Sequence, residues 1–336
     1  MKLLLAPLAG FTDAPFRRLC SEGGADLCYT EMVSAAGLYH GSSPTRHLME
    51  AMPGEGPLAC QLFGAKEEEL AFATRFASSF TSAGCPRFAE INLNAGCPMT
   101  KVTCSGAGAK LVESPEKIHR LLKAMTAETD LPVTLKTRLG PHPQWTTIFE
   151  ILDAATQAGA AALIVHARFT SQMHGGEVHL ETLAELVRRA KIPIYGNGSV
   201  TDAKSAAAMA ATGVAGLMIG RAALARPGIF AELRVARDAR PTWARAFGEE
   251  RETPVWRHLD YLLAFREQLA ARYPADHVPS PDSYASVKMH VHLFRYFNGR
   301  PGAAALRARL NAVRTLAEVQ EIAQLPNRLL KIGGGV

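Results

Sequence analysis

Residues 91–101, INLNAGCPMTK, put a cysteine between Gly96 and Pro98 at the end of a strand-forming run. A thiol there is placed for chemistry, because Gly lets a substrate approach closely and Pro ends the sheet ladder. A lone cysteine is more often a packed core residue. The company of Cys97 points the other way: Asn94 stands three residues before it, Lys101 four after, and the Gly-rich run SGAGAKL follows at 105–111.

The elements that must position this thiol follow from the apolar periodicity. Short β-rich runs recur at 3–7, 26–32, 58–64, 89–94, 133–139, 162–168, 192–198 and 216–222, separated by stretches of helical period. Most lack strict alternation, as parallel strands covered on both faces do. Eight strand-then-helix units predict a closed (β/α)8 TIM barrel. An open doubly wound sheet is the runner-up, but no GxGxxG follows the first run. From Trp256 to Ala323 only helical patterns appear, over 256–273, 283–297 and from near Ala303 and Leu316. The expected organisation is a barrel over 1–236, a linker over 237–254 and an all-helical C-terminal domain over 255–336.

Active sites of such barrels lie at the C-terminal ends of the strands. Here those ends carry Pro7, Glu31, Gln61, Asn94 with Cys97, Lys136 with Arg138, His166 with Arg168, Asn197 with Gly198, and Gly220 with Arg221. Polar ends on apolar strands, converging on one rim, suit a bound flavin. The Gly-containing turns at 196–198 and 220–221 offer backbone N–H groups to a terminal phosphate, with Arg221 as a charged partner. Gln61, Lys136 and His166 supply donors for an isoalloxazine edge. Taken singly, these groups also fit a Schiff-base lysine or a plain phosphate site in the same fold.

Composition removes other classes. With 48% hydrophobic and 20% charged residues the chain has an ordinary globular core, so disorder is excluded as a reading. The six cysteines, Cys20, Cys28, Cys60, Cys85, Cys97 and Cys104, form no CxxC pair, and no histidines stand at metal-ligand spacing. Reduced thiols, a cytoplasmic location, no metal, no membrane span and no obligate protein partner are expected. The opening MKLLLAPLAGF lacks a convincing cleavage site and reads as the first strand. The net charge is +6. Between Lys288 and Lys331 eight cations face only Glu318 and Glu321, so the basic surface belongs to the tail.

The run NLNAGCPMTKV followed by GAGAKLV resembles the signature of the tRNA-dihydrouridine synthases. The similarity extends through APLAGFTDAPFR, TEMVSA, QLFG, KTRLG, HAR, YGNG, GLMIGRAAL and FNGRPGAAALRARL, nearly the whole chain. The resemblance implies FMN at the barrel mouth, held by Pro7, Leu8, Ala9, Gln61, Lys136, His166, Asn197, Gly198, Ser199, Gly220 and Arg221. It implies NADPH or NADH as reductant, tRNA as partner, and reduction of a uridine C5=C6 bond with Cys97 as general acid. Asn94 and Arg168 would orient the uracil. Lys288 and Arg295, seven apart on one helix face, would meet the RNA, followed by Arg300, Arg307, Arg309 and Arg314. Where relatives commonly show HGRTRxQxYxG, residues 166–176 read HARFTSQMHGG, which leaves open how this loop meets RNA. Cys104 reads as a loop-packing residue. Two rival readings keep parts of the pattern: an FMN barrel reducing a small free pyrimidine or enone, and an RNA-binding protein on a retired enzyme scaffold.

Overall fold

The computed structural model describes residues 1–82, 87–238, 254–297 and 303–324. Its strands are β1 (Lys2–Leu5), β2 (Leu27–Tyr29), β3 (Val33–Ser34), β4 (Leu58–Phe63), β5 (Glu90–Ala95), β6 (Val133–Arg138), β7 (Ala162–His166), β8 (Ile194–Asn197) and β9 (Gly216–Ile219). All pair in parallel in the order β2-β1-β9-β8-β7-β6-β5-β4, and a β2–β4 pairing closes the ring. This is the expected TIM barrel. The two-residue β3 pairs with the end of β4 at the rim. The run expected over 26–32 is shorter in the structure: the strand stops at Tyr29, and the Glu31 carboxylate accepts a hydrogen bond from the Gly10 N–H.

The pleat explains which residues reach the axis. Along β5, Ile91, Leu93 and Ala95 join the core beneath the helices, while Glu90, Asn92 and Asn94 turn inward. Along β6, Leu135 packs outward and Thr134, Lys136 and Arg138 face in. The bottom of the barrel interior is closed by a small cluster including Leu4, Tyr29, Ala59, Ile164 and Met218. Apolar residues there seal the floor, so polar groups nearer the rim need partners of their own.

A second cluster, with Leu259, Leu262, Met289, Leu293, Val319 and Ile322, forms the core of the helices Pro254–Arg272, Pro281–Tyr296 and Leu316–Ala323. Ser280 caps the second of these through the Ser283 N–H, with Pro281 in the first turn. Residues 239–253, most of the expected linker, lie outside the described residues, as do Cys85 and Arg300. Among the described residues no helix is long and apolar enough to cross a membrane.

The helical unit docks on the first barrel helix, Ala14–Glu22, through rings and charges. Phe16 lies 5.6 Å from the His258 ring and 4.9 Å from that of His292, and Phe11 meets His292 edge-on. Buried Glu50 accepts from Tyr273 and pairs with Arg272 at 2.6 Å. Asp13, His258 and His292 each bring one ligand-capable atom within 4.8 Å of the others, although they are far apart in sequence. Asp13 also caps Phe16 and pairs with Lys288 at 3.7 Å.

Burial pushes His258 down to about 4, with Lys288 acting in the same direction and Asp13 opposing it. A histidine with a lowered folded-state pKa stabilises fully above its ordinary value near 6.5, and that stability is lost as pH falls toward 4. The expected loss is on the order of 3 kcal/mol. The melting temperature should therefore fall across pH 6.5 to 4, and His258→Phe should flatten part of that slope. Parallel slopes for the two proteins would show that His258 is not the group responsible.

Candidate active site

The turn carrying Cys97 is held from two sides. Asn94 Oδ1 accepts hydrogen bonds from the N–H groups of both Gly96 and Cys97, each at 3.0 Å. From β6, Arg138 Nε donates to the Gly96 carbonyl at 2.7 Å, and its Nη1 donates to the Phe169 carbonyl. The Ala109 N–H returns to the Cys97 carbonyl at 2.8 Å, closing the Gly-rich loop that the sequence placed after it. Gly108 sits there at φ 60°, and a Cβ on it would lie 2.6 Å from the Cys97 carbonyl oxygen. Only glycine fits this close approach.

Cys97 is half-buried and opens onto a cavity of about 340 Å³ at the C-terminal mouth of the barrel. Pro7, Leu8, Ala9, Asn94, Lys136, His166, Arg168, Asn197, Gly198, Ser199, Gly220, Arg221 and Arg295 share its wall. Lys136, Arg138, Arg168, Arg221 and Arg295 make five cations on that wall, and no carboxylate lies among the lining residues. Burial, then the Arg138 charge, lowers Lys136 to about 7. Its ammonium donates to Asn197 Oδ1 at 3.2 Å, while Asn197 Nδ2 donates to the Met218 carbonyl. His166 is held far below the ordinary imidazole range by burial and by Lys136, Arg138 and Arg168, so the ring is neutral. Arg168 can only donate, so its 3.2 Å contact makes His166 Nε2 the acceptor and leaves the proton on Nδ1.

Several expected residues stand elsewhere or do something else. Gln61 is fully buried below the cavity and does not line it: its Oε1 accepts from Asn94, and its Nε2 donates to Asn92. Asn94 reaches the wall, but its carbonyl is committed to the Cys97 turn. Arg168 directs its Nε and Nη2 to the Gly176 carbonyl and Ser199 Oγ, which makes it a brace between two loops. Lys288 is absent from the cavity, because its ammonium turns to Asp13 under the helical unit, while Arg295, seven residues on, reaches the cavity edge above Phe11. Cys104 is exposed in the loop beyond, with its thiol toward the Lys101 carbonyl.

Two lining residues gained their roles only from the structure. Arg138 lies two positions from Lys136, so strand alternation alone would have pointed both into the barrel. His174 lines the cavity from the altered 166–176 loop, stacked 6.3 Å from His166, and its carbonyl accepts from Arg221. Met173 before it adopts φ 53°, a left-handed conformation uncommon for this residue type.

The donor set fits an anionic ring cofactor with a phosphate. Gly198 at φ 126° and Ser199 at φ 52° both stand at positive φ in the turn that forms this part of the cavity wall. A Cβ on Gly198 would meet Val178 at 2.9 Å and His166 at 3.1 Å, so the chain passes where a side chain cannot. Cations and amides around an apolar floor of Ala6 and Met218 suit a flat ring that carries a phosphate.

The dihydrouridine synthase (Dus) family model matches residues 4–331. The tRNA-dihydrouridine synthase B of Pseudomonas putida is 34% identical over 321 residues, covering 93% of this chain and 87% of that protein. The protein of the same name from Xanthomonas axonopodis pv. citri is 34% identical over 325 residues, 94% of this chain and 89% of its own length. That of Klebsiella pneumoniae is 36% identical over 240 residues, 69% and 71% of the two chains. With a thiol on a braced turn at the mouth of a cation-lined barrel, and with this match along nearly its full length, the chain belongs to the dihydrouridine synthase family.

Proposed function

We propose that this chain is a flavin-dependent oxidoreductase that reduces uridines in tRNA to 5,6-dihydrouridine, with FMN as cofactor and NADPH or NADH as reductant. The observation that carries this reading is the half-buried Cys97 opening onto a cavity with five cations and no carboxylate. Such a cavity attracts a phosphate-bearing cofactor and an RNA together. Bound here, FMN would supply the hydride chemistry that the reduction needs.

The chain's own residues do the rest. Cys97 gives its proton to C5 as the C6–H bond forms, so two hydrogens add across the double bond, and solvent then reprotonates the sulfur. Lys136 and neutral His166 offer N–H groups to the ring edge of the cofactor. Gly198, Ser199, Gly220 and Arg221 would hold its phosphate, and Pro7, Leu8 and Ala9 would supply an apolar face. Asn94 keeps one N–H for the uracil, and Arg168 acts by bracing the Gly176 and Ser199 loops. A uridine inside folded RNA must swing out to reach this depth. Arg295 at the cavity edge is the tail residue placed to meet the displaced strand, with the helical domain over 255–336 as the wider tRNA-binding surface.

The direct test is to purify the protein, read its flavin absorbance, and follow NADPH-driven dihydrouridine formation in tRNA lacking the modification. Reduction of free uridine or a small enone, with tRNA untouched, would replace this reading by that of a small-molecule reductase. Cys97→Ala should keep the bound flavin and NADPH oxidation while uridine reduction falls by at least about a hundredfold, the scale of a lost general acid. Unchanged reduction would remove Cys97 from the proton step.

Lys136 near 7 gives a second test that needs no turnover. A bound anionic cofactor favours the ammonium form, so above pH 7 binding must take up a proton, and FMN affinity should fall by up to about tenfold per pH unit. Fluorescence titration at pH 6.5 and 8.5 measures this, and Lys136→Met should give weaker binding with a flat profile. Arg295→Glu should weaken tRNA binding and lower its salt dependence; an unaltered gel shift across salt concentrations would place the RNA away from this edge.

A further inference from the structure

Below Asn94, a row of polar side chains inside the barrel is not used by the reaction as described. It starts at the Cys97 turn, where the Gly96 and Cys97 N–H groups donate to Asn94 Oδ1. Asn94 Nδ2 donates to Gln61 Oε1 at 2.8 Å, Gln61 Nε2 to Asn92 Oδ1 at 2.7 Å, and Asn92 Nδ2 to Thr134 Oγ1 at 2.8 Å. Thr134 Oγ1 then donates to Glu90 Oε1 at 2.8 Å, where Tyr29 also donates its phenol proton. The amides and Thr134 are all buried, and the row crosses β4, β5 and β6. Glu90 and Asn94 are four residues apart on one strand, about 13 Å end to end.

The polarity of this row is fixed from its upper end. A backbone N–H can only donate, so two of them force Asn94 to present its oxygen upward and its NH₂ downward. That orients Gln61, which orients Asn92, which makes the Thr134 hydroxyl an acceptor from above and a donor below. At the lower end two hydroxyl protons converge on one oxygen, which a carboxylate accepts as an acceptor-only group. Each amide is thus held in one of its two possible flips by a neighbour. Bonds aligned head to tail polarise one another, so the acceptor oxygen of Glu90 strengthens the grip of Asn94 on the Cys97 turn.

We propose that Glu90, Asn92 and Thr134 are positioning residues for Cys97, acting on it through this one-directional ladder of hydrogen bonds. None of the three lines the cavity. Their effect is to hold the Gly96 and Cys97 amides, and so the thiol, at a fixed point over the substrate, where a displacement of 1 Å is enough to cost rate. The inference rests on the proton-donor reading of Cys97, and it predicts that damage at the floor of the barrel appears selectively in the proton-transfer half of the reaction.

Thr134→Val removes one hydroxyl at nearly constant volume and cuts the ladder between Asn92 and Glu90, and Thr134→Ser restores the link. In the holoenzyme, single-turnover uridine reduction should slow by about tenfold or more in the valine variant. Flavin content and flavin reduction by NADPH should stay within about twofold of wild type, and serine should recover most of the loss. Independently of any RNA, iodoacetamide labelling of Cys97, followed by mass spectrometry of its peptide, should accelerate in the valine variant and not in the serine one. Equal slowing of both half-reactions, no slowing of either, or unaltered labelling would overturn the ladder. If the valine variant does not fold, Glu90→Gln is judged by the same two readouts. Should wild type reduce no uridine at all, the failure lies with the proposed function, and the labelling comparison still decides the ladder.

Discussion

The site depends on one oxygen. Asn94 Oδ1 takes two backbone N–H groups that the turn at Gly96 and Pro98 leaves without a strand partner. A buried N–H without an acceptor costs about 1–3 kcal/mol, so the turn has no cheap alternative to the geometry Asn94 dictates. Arg138 makes the complementary bond to the Gly96 carbonyl from the next strand. With both the donors and the acceptor of the turn committed, the sulfur position follows from β5 and β6 rather than from the mobility of a loop. A rigid scaffold that aims one side chain is the usual way a barrel enzyme combines precision with a variable rim.

The same inward faces set the electrostatics. Lys136 and Arg138 stand two apart on β6, and Arg168 follows His166 at the end of β7, so the strand pleat gathers cations around a cavity with no acid among its described lining residues. Burial, and after it the neighbouring cations, lower Lys136 to about 7, lower Arg138 to about 10 and keep His166 neutral. Held in this way, the groups are donors awaiting negative charge. A bound anion would relieve the repulsion, so the cost of assembling these cations is offset when the ligand arrives.

Much of this was legible in the sequence. The eight strands, the four C-terminal helices and the strand-end positions of Lys136, His166, Asn197 and Gly220 follow from apolar runs and from the rule that barrel chemistry sits at strand ends. The partnerships were not legible. Gln61 reads as a free amide at a strand end, yet it stops short of the rim because Asn94 and Asn92 hold both ends of its side chain. Lys288 and Arg295 read as one basic face, but Lys288 is drawn under the helix to Asp13, a residue 275 positions away. Asp13, His258 and His292 likewise meet only because the helical unit folds back on the first barrel helix. Periodicity reports which way a side chain points; it carries no information about a distant partner.

That fold-back joins the second unit to the catalytic mouth. The helix Pro281–Tyr296 presses His292 onto Phe11 and Phe16 and carries Arg295 over the Phe11 ring to the cavity edge. Phe11 lies in the loop after β1, in the same turn as Pro7 to Ala9. Glu31 binds the Gly10 N–H in that turn and is itself influenced by the Lys288 charge. Through the Phe11 ring and the Lys288 charge, the helical unit therefore helps to set the position of the β1 loop, one wall of the cavity.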